Sequence, residues 1–214
     1  KRIFAAIAAA VIAVPFLNPP KAEAISFPLK NTINSESAIV INLDVDTVIH
    51  EKKADEKQMP GQLVDIMTAV VALENCPNIN QEVTIHQDVY SYLNETEYKD
   101  DLCWTDIQDE DVLTVTDLLY AMMLTSSMEA AETIAYTVGD GNVDNFIKMM
   151  NNKAEEIGME NTHFTNATGI YDPNQYTTAR DMAKLTEYAL SVPLFGTIAT
   201  TFKYNPSVPS PGRH

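Results

Sequence analysis

Between the turn signal Pro60-Gly61 and the stop at Asn75-Cys76-Pro77 runs the segment QLVDIMTAVVALE, too densely apolar for a solvated helix face. A helix of this kind has to be buried, so the chain must fold around it. One residue is out of keeping with that burial. Asp65 stands one turn inside the helix, three residues after Gln62, a spacing that puts both side chains on the same face of the helix start.

The segments on either side set a mixed α+β pattern. Residues 37–43 (SAIVINL) and 47–50 (TVIH) read as the two strands of a hairpin, although the turn Asp44-Val45-Asp46 lacks the usual glycine. Residues 51–57 are charged and read as exposed. A short strand signal follows at Val83-Thr84-Ile85. Thr114 and Asp117 offer caps for a long apolar, Ala- and Met-rich helical stretch, Leu118 to Val138, that ends at Gly139. Val143 to Ile157 is amphipathic, with Phe146, Ile147, Met150, Ala154 and Ile157 on one stripe and Gly158 to close it. A turn-rich stretch from Asn161 to Asn174 leads to a helix from Thr177-Thr178 through Leu190, and Phe195 to Tyr204 reads as one more strand.

The first residues read as a targeting segment. Lys1-Arg2, the apolar run Ile3 to Val14 and Ala22-Glu23-Ala24 have the order of a cleavable leader over 1–24. On this reading the chain is exported, with a single domain over 25–205 and a Pro-rich tail or truncated loop over 206–214. Without the leader the chain carries 11 Lys and Arg against 29 Asp and Glu. That balance argues against nucleic acid and anionic membrane surfaces as partners. Membrane contact is expected only through the leader or a missing C-terminal anchor. A hydrophobic content of 45% is enough for a real core and excludes general disorder. The acidic stretch over 95–111 fits no EF-hand loop and reads as solvated, so no metal and no cofactor are expected. Cys76 and Cys103 are free to form a disulfide in an exported chain, or to stay reduced.

Taken in order, several segments resemble the D-alanyl-D-alanine carboxypeptidases, the low-molecular-mass serine penicillin-binding proteins. SAIVINLDVDTVIHEKKADEK is similar to the family's N-terminal hairpin. MPGQLVDIMTAVVALE is similar to its nucleophile helix, and LTVTDLLYAMMLTSSMEAAETIA to the helix bearing Ser-x-Asn followed by an acid and two alanines. FIKMMNNKAEEIGMENTHFTNATGIYDPNQYTTARDMAKL matches best. The resemblance runs from about Ser37 to Leu190. It implies the serine penicillin-binding/β-lactamase-like fold, an antiparallel sheet packed on a helical region, with the final sheet strands missing from this chain.

The resemblance also implies a covalent mechanism, in which a serine attacks the D-Ala-D-Ala carbonyl, a lysine one turn later takes its proton, and a Lys-Thr-Gly strand binds the substrate carboxylate. Here the nucleophile position is Gln62 and the lysine position is Asp65. In the second motif Ser126 is kept, Ser127 fills the variable place and Met128 replaces the asparagine. No Lys-Thr-Gly occurs before the chain ends at His214. A carboxamide cannot form the acyl-enzyme, and an ionised Asp65 would reverse the local charge and repel a substrate carboxylate. The expected role is therefore a non-covalent one, towards a peptidoglycan stem peptide or other wall enzymes, in a catalytically degraded homologue. Two alternatives stand beside it: residual carboxypeptidase activity through Ser126, and a fragment of a longer wall protein. The histidines show no paired ligand spacing, and His163, inside the well-matched NTHF, reads as structural.

Overall fold

The computed structural model describes residues 33–98 and 102–206. The leader expected over 1–24 and the tail beyond Pro206 lie outside the described residues, as do Asp100 and Asp101 of the acidic stretch. The chain opens with an antiparallel hairpin, β1 (Ala38–Asn42) and β2 (Thr47–Lys52). Its turn manages without glycine by two devices. Asp46 takes the left-handed conformation at φ 45°, and the Asn42 side chain accepts from the Asp44 N–H at 2.9 Å. The register slips between Val40 and Ile41, which leaves Ile49 as the extra residue of a bulge.

A 3-10 turn over Gly61–Leu63 leads into α1 (Val64–Asn75), the buried helix that the apolar run demands. Val64, Met67, Val70 and Val71 are wholly withdrawn from solvent. α1 is packed by five other helices: α3 (Val115–Thr125), α4 (Met128–Val138), α5 (Val143–Ile157), α6 (Ala179–Ser191) and α7 (Phe195–Ala199). Leu118, Leu119, Met122, Ile134, Phe146, Met150 and Leu185 close the core around it. Each such side chain, fully buried, contributes about 1.5–3 kcal/mol of transfer free energy. A second, smaller sheet pairs β3 (Glu82–Thr84) with β4 (Val112–Thr114), and the helix between them, α2 (Gln87–Glu95), packs on α4. The hairpin lies against α6, so helices and two small antiparallel sheets make an α+β fold.

Several sequence signals appear at the positions read for them. Thr114 and Asp117 form a reciprocal capping box at the start of α3, and Gly158 closes α5 in the left-handed conformation at φ 81°. Two expectations are corrected. The apolar stretch from Leu118 to Val138 is not one helix, because Ser126 ends α3 at φ 52° and Ser127 begins α4 as its N-cap, its hydroxyl accepting from the Ala130 N–H. The segment from Phe195 is not a strand. Phe195 and Ile198, three apart, are both buried on the core, and that helical spacing outweighs local β preference. The run over 51–57 is also less free than its charge suggests, since Ala54 is buried and Glu51 and Asp55 pair with Arg180 of α6.

Candidate functional site

The site lies where the turn entering α1 meets the break between α3 and α4. A buried helix exposes little but its ends, and here one end faces a cleft of about 480 Å³. Its walls are Pro60, Gly61, Gln62, Leu63, Asp65, Ile66, Met123 and Ser126. A second cleft of about 220 Å³ lies on the other side of Gly61 and Gln62, lined also by Tyr98, Met128, Ile170 and Tyr171. Gln62 thus stands on the ridge between the two.

The fold brings Gln62, Asp65 and Ser126 to one cleft and Met128 to its neighbour. Gln62 is exposed, and its amide nitrogen lies 3.5 Å from the Cys103 sulfur. Asp65 is buried, at 7% exposure, and the Ser126 hydroxyl donates to its carboxyl. Burial penalises the ionised form more than that single bond favours it, so the carboxyl is pushed up to about 8. The charge reversal expected at this position is therefore corrected. Near neutral pH the Asp65 carboxyl is mostly protonated, and the cleft is uncharged rather than anionic. Ser126 owes its place to its left-handed backbone, whose N–H also closes α3 on the Met122 carbonyl at 2.8 Å.

The acid of the second motif, Glu129, and residues that no motif singled out support this arrangement. Glu129, fully buried in the first turn of α4, accepts from the Thr105 N–H at 2.9 Å and the Ser127 hydroxyl at 3.0 Å. The Met128 N–H donates to the Cys103 carbonyl at 3.3 Å, so the segment around Cys103 to Thr105 is fastened to the start of α4. Behind Gln62 lies the loop over 165–175. The Asn166 side chain accepts from the Gly169 N–H and donates to the Ile170 carbonyl, while Gln175 accepts from the N–H groups of Thr165 and Asn166. Thr68 of α1 donates to the Ala167 carbonyl at 2.9 Å and pins the loop to the helix. Gly169, at φ 78°, lies so close to the 60s turn that a Cβ would meet the Gly61 carbonyl oxygen at 2.4 Å. Only glycine fits there. A polar, turn-rich composition was the signal for this loop, but the packing partner was invisible in it.

The remaining candidates lie elsewhere. Cys76 and Cys103 are free thiols at opposite ends of the α1 neighbourhood, and no disulfide joins them. His50 lies in β2, His86 sets its ring against Tyr136, and His163 exchanges backbone hydrogen bonds with Tyr176. None of the three lines either cleft. Among the described residues no group of three His, Cys, Asp or Glu side chains is placed to hold a metal ion.

The family model for D-alanyl-D-alanine carboxypeptidase matches residues 22–208. A D-alanyl-D-alanine carboxypeptidase of Streptomyces sp. (strain K15) is 30% identical over 201 residues, covering 91% of this chain and 67% of the relative. A D-alanyl-D-alanine endopeptidase of Escherichia coli (strain K12) is 28% identical over 195 residues, 90% of this chain and 60% of its own. For DacF of Bacillus subtilis (strain 168), 26% identical, the shares are 70% and 37%. The crystal structure of the Streptomyces K15 DD-transpeptidase superposes with a TM-score of 0.73 at 31% identity, over 79% of this chain and 66% of that one. The chain thus spans two thirds or less of the length of these relatives.

Proposed function

The chain belongs to the D-alanyl-D-alanine carboxypeptidase family, and within it we propose a member that binds wall peptides without forming an acyl-enzyme. One observation carries this reading. The face of the α1 start that meets Ser126 across the cleft presents Gln62 and Asp65, a carboxamide and a buried acid. A carboxamide nitrogen is not a nucleophile, and a carboxyl that holds its proton up to about pH 8 cannot deprotonate a neighbouring hydroxyl at neutral pH. Met128 offers no amide to position a substrate where the family pattern has asparagine.

What remains is a scaffold with two polar-edged clefts astride Gln62, suited to holding a peptide and not to cutting it. The ligand class follows from the family resemblance: a peptidoglycan stem peptide, met outside the cytoplasm by an exported chain with its domain over 25–205. Other wall enzymes are the alternative partners. Sedimentation with purified peptidoglycan tests this. Co-sedimentation that washes off in denaturant supports the reading, and protein left wholly in the supernatant at physiological salt overturns it.

A second reading has a specific observation in its favour. Ser126 is a family serine hydrogen-bonded to an acid, and above pH 8 the ionised Asp65 becomes a base within reach of its hydroxyl. D-alanine released from a stem-peptide mimic at pH 9, and abolished in Ser126→Ala, would establish residual carboxypeptidase activity. No release at high protein concentration removes it.

A further inference from the structure

The larger cleft has a polarity that the family resemblance does not supply. Among its eight lining residues Asp65 is the only ionisable one, and none of the described lysines or arginines lines it. Its polar partner is the Ser126 hydroxyl. No ionisable group of the described helices packed on α1 lines the cleft, and several are engaged with other partners. Glu129 of α4 is held by Thr105 and Ser127, Asp117 of α3 by Thr114 and Tyr204, and Lys153 of α5 by Glu74 and Glu156. Asp181 and Lys184 of α6 pair with each other, and Glu132 of α4 is buried outside the cleft walls. The protein as a whole carries a net charge of -16. A carboxylate ligand would enter an acidic molecule and find no cation among the described residues of this cleft, whereas an ammonium would find a carboxyl on the wall that becomes its counter-ion on losing its proton.

We propose that this cleft binds the free amine of its ligand, with Asp65 as counter-ion, Ser126 holding the carboxyl in place and Gln62 at the mouth. The inference rests on the wall-peptide reading and deepens it: the group recognised is a side-chain or terminal ammonium of the peptide, not its C-terminal carboxylate. Binding and ionisation are then linked, because the amine favours the carboxylate form and displaces the Asp65 proton to solvent. Affinity for the amine rises with pH to about 8, where half of the carboxyl groups are ionised, and levels off above it.

The test uses the whole protein, two peptides and calorimetry at pH 6, 7, 8 and 9. One peptide, Nα-acetyl-L-lysyl-D-alanyl-D-alanine amide, carries an amine and no carboxylate. The other, Nα,Nε-diacetyl-L-lysyl-D-alanyl-D-alanine, carries the carboxylate and no amine. The proposal expects the first to bind at least about tenfold tighter than the second at pH 8. It also expects roughly a tenfold gain per pH unit below 8 with about one proton released, and loss of both in Asp65→Asn. Proton release is measured on the unaltered protein, so the result does not depend on how the variant folds. Equal or tighter binding of the carboxylate peptide, affinity unchanged in Asp65→Asn, or no binding of the amine peptide at millimolar concentration overturns the amine site. Retention on peptidoglycan separates the two claims. An unaltered protein that is retained but shows no preference for the amine peptide keeps the wall-peptide reading while sinking the amine site. Amine binding without retention does the reverse.

Discussion

Moving a carboxyl from water into a helix-lined cleft with one hydroxyl as partner penalises its ionised form, and this sets the behaviour of Asp65. The unfolded chain ionises the group near 3.8 and the folded chain near 8, so between those values the folded state holds a proton that the unfolded state has lost. Stability from this group is fully present below pH 3.8, declines across the window and is gone above about 8. Asp65→Asn is therefore expected to match the parent near pH 4 and to exceed it at pH 8.5 by on the order of 5 kcal/mol in urea unfolding. Parallel pH profiles for the two proteins would contradict it. Glu132 of α4 follows the same sign. It is buried, with one oxygen lacking a partner among the described residues, and is pushed up to about 7 by desolvation. Ser127 serves the structure differently, as N-cap of α4 and donor to the buried Glu129. Ser127→Ala is expected to cost about 2 kcal/mol, read as a lowered urea midpoint at unchanged slope.

Gly169 shows how one element fixes another. The loop over 165–175 presses its backbone on the Gly61 carbonyl, and Thr68 fastens it to α1, so the position of Gln62 depends on a contact a hundred residues away in sequence. Gly169→Ala adds a methyl where the backbone is left-handed and the space is already taken. We expect a loss of about 2 kcal/mol or more, with chemical-shift changes concentrated at residues 60–65. Shifts confined to the loop itself would show that the turn is set independently. The same element explains what could be read in advance and what could not. α5 was legible at both ends because an amphipathic stripe and Gly158 act locally. The buried character of α1 was legible from its density of apolar residues. The break at Ser126 was not, since a left-handed serine is stabilised here by Asp65 and the Met122 carbonyl, both fixed by the packing of α3 on α1. The helix at Phe195 escaped for the same reason, its two buried residues acquiring meaning only beside α3 and α6. Gln62 and Asp65 were found by their place in a motif order, whereas the protonation of Asp65 needed its depth.

At the scale of the whole molecule, the N-terminal hairpin is tied to the helical body chiefly through α6. Arg180 donates to Asp55 through two nitrogens and to Glu51 through one, and its own N–H reaches the Ala54 carbonyl. These groups are partly exposed, so the pairs contribute about 1 kcal/mol together. Arg180→Gln is expected to lower global stability by that amount while amide exchange quickens across 38–52 and stays unchanged in α1. Equal acceleration in both regions would mean that hairpin and helices open as one unit.

The decisive question for the molecule is whether this family scaffold has lost its covalent step. Intact-mass spectrometry after incubation with excess benzylpenicillin, with a Gln62→Ser/Asp65→Lys double variant alongside, tests this most directly. The unmodified mass is expected for the protein as it stands. A stable penicilloyl adduct on it, mapped by peptide digestion to Ser126 or any other residue, would contradict the central claim.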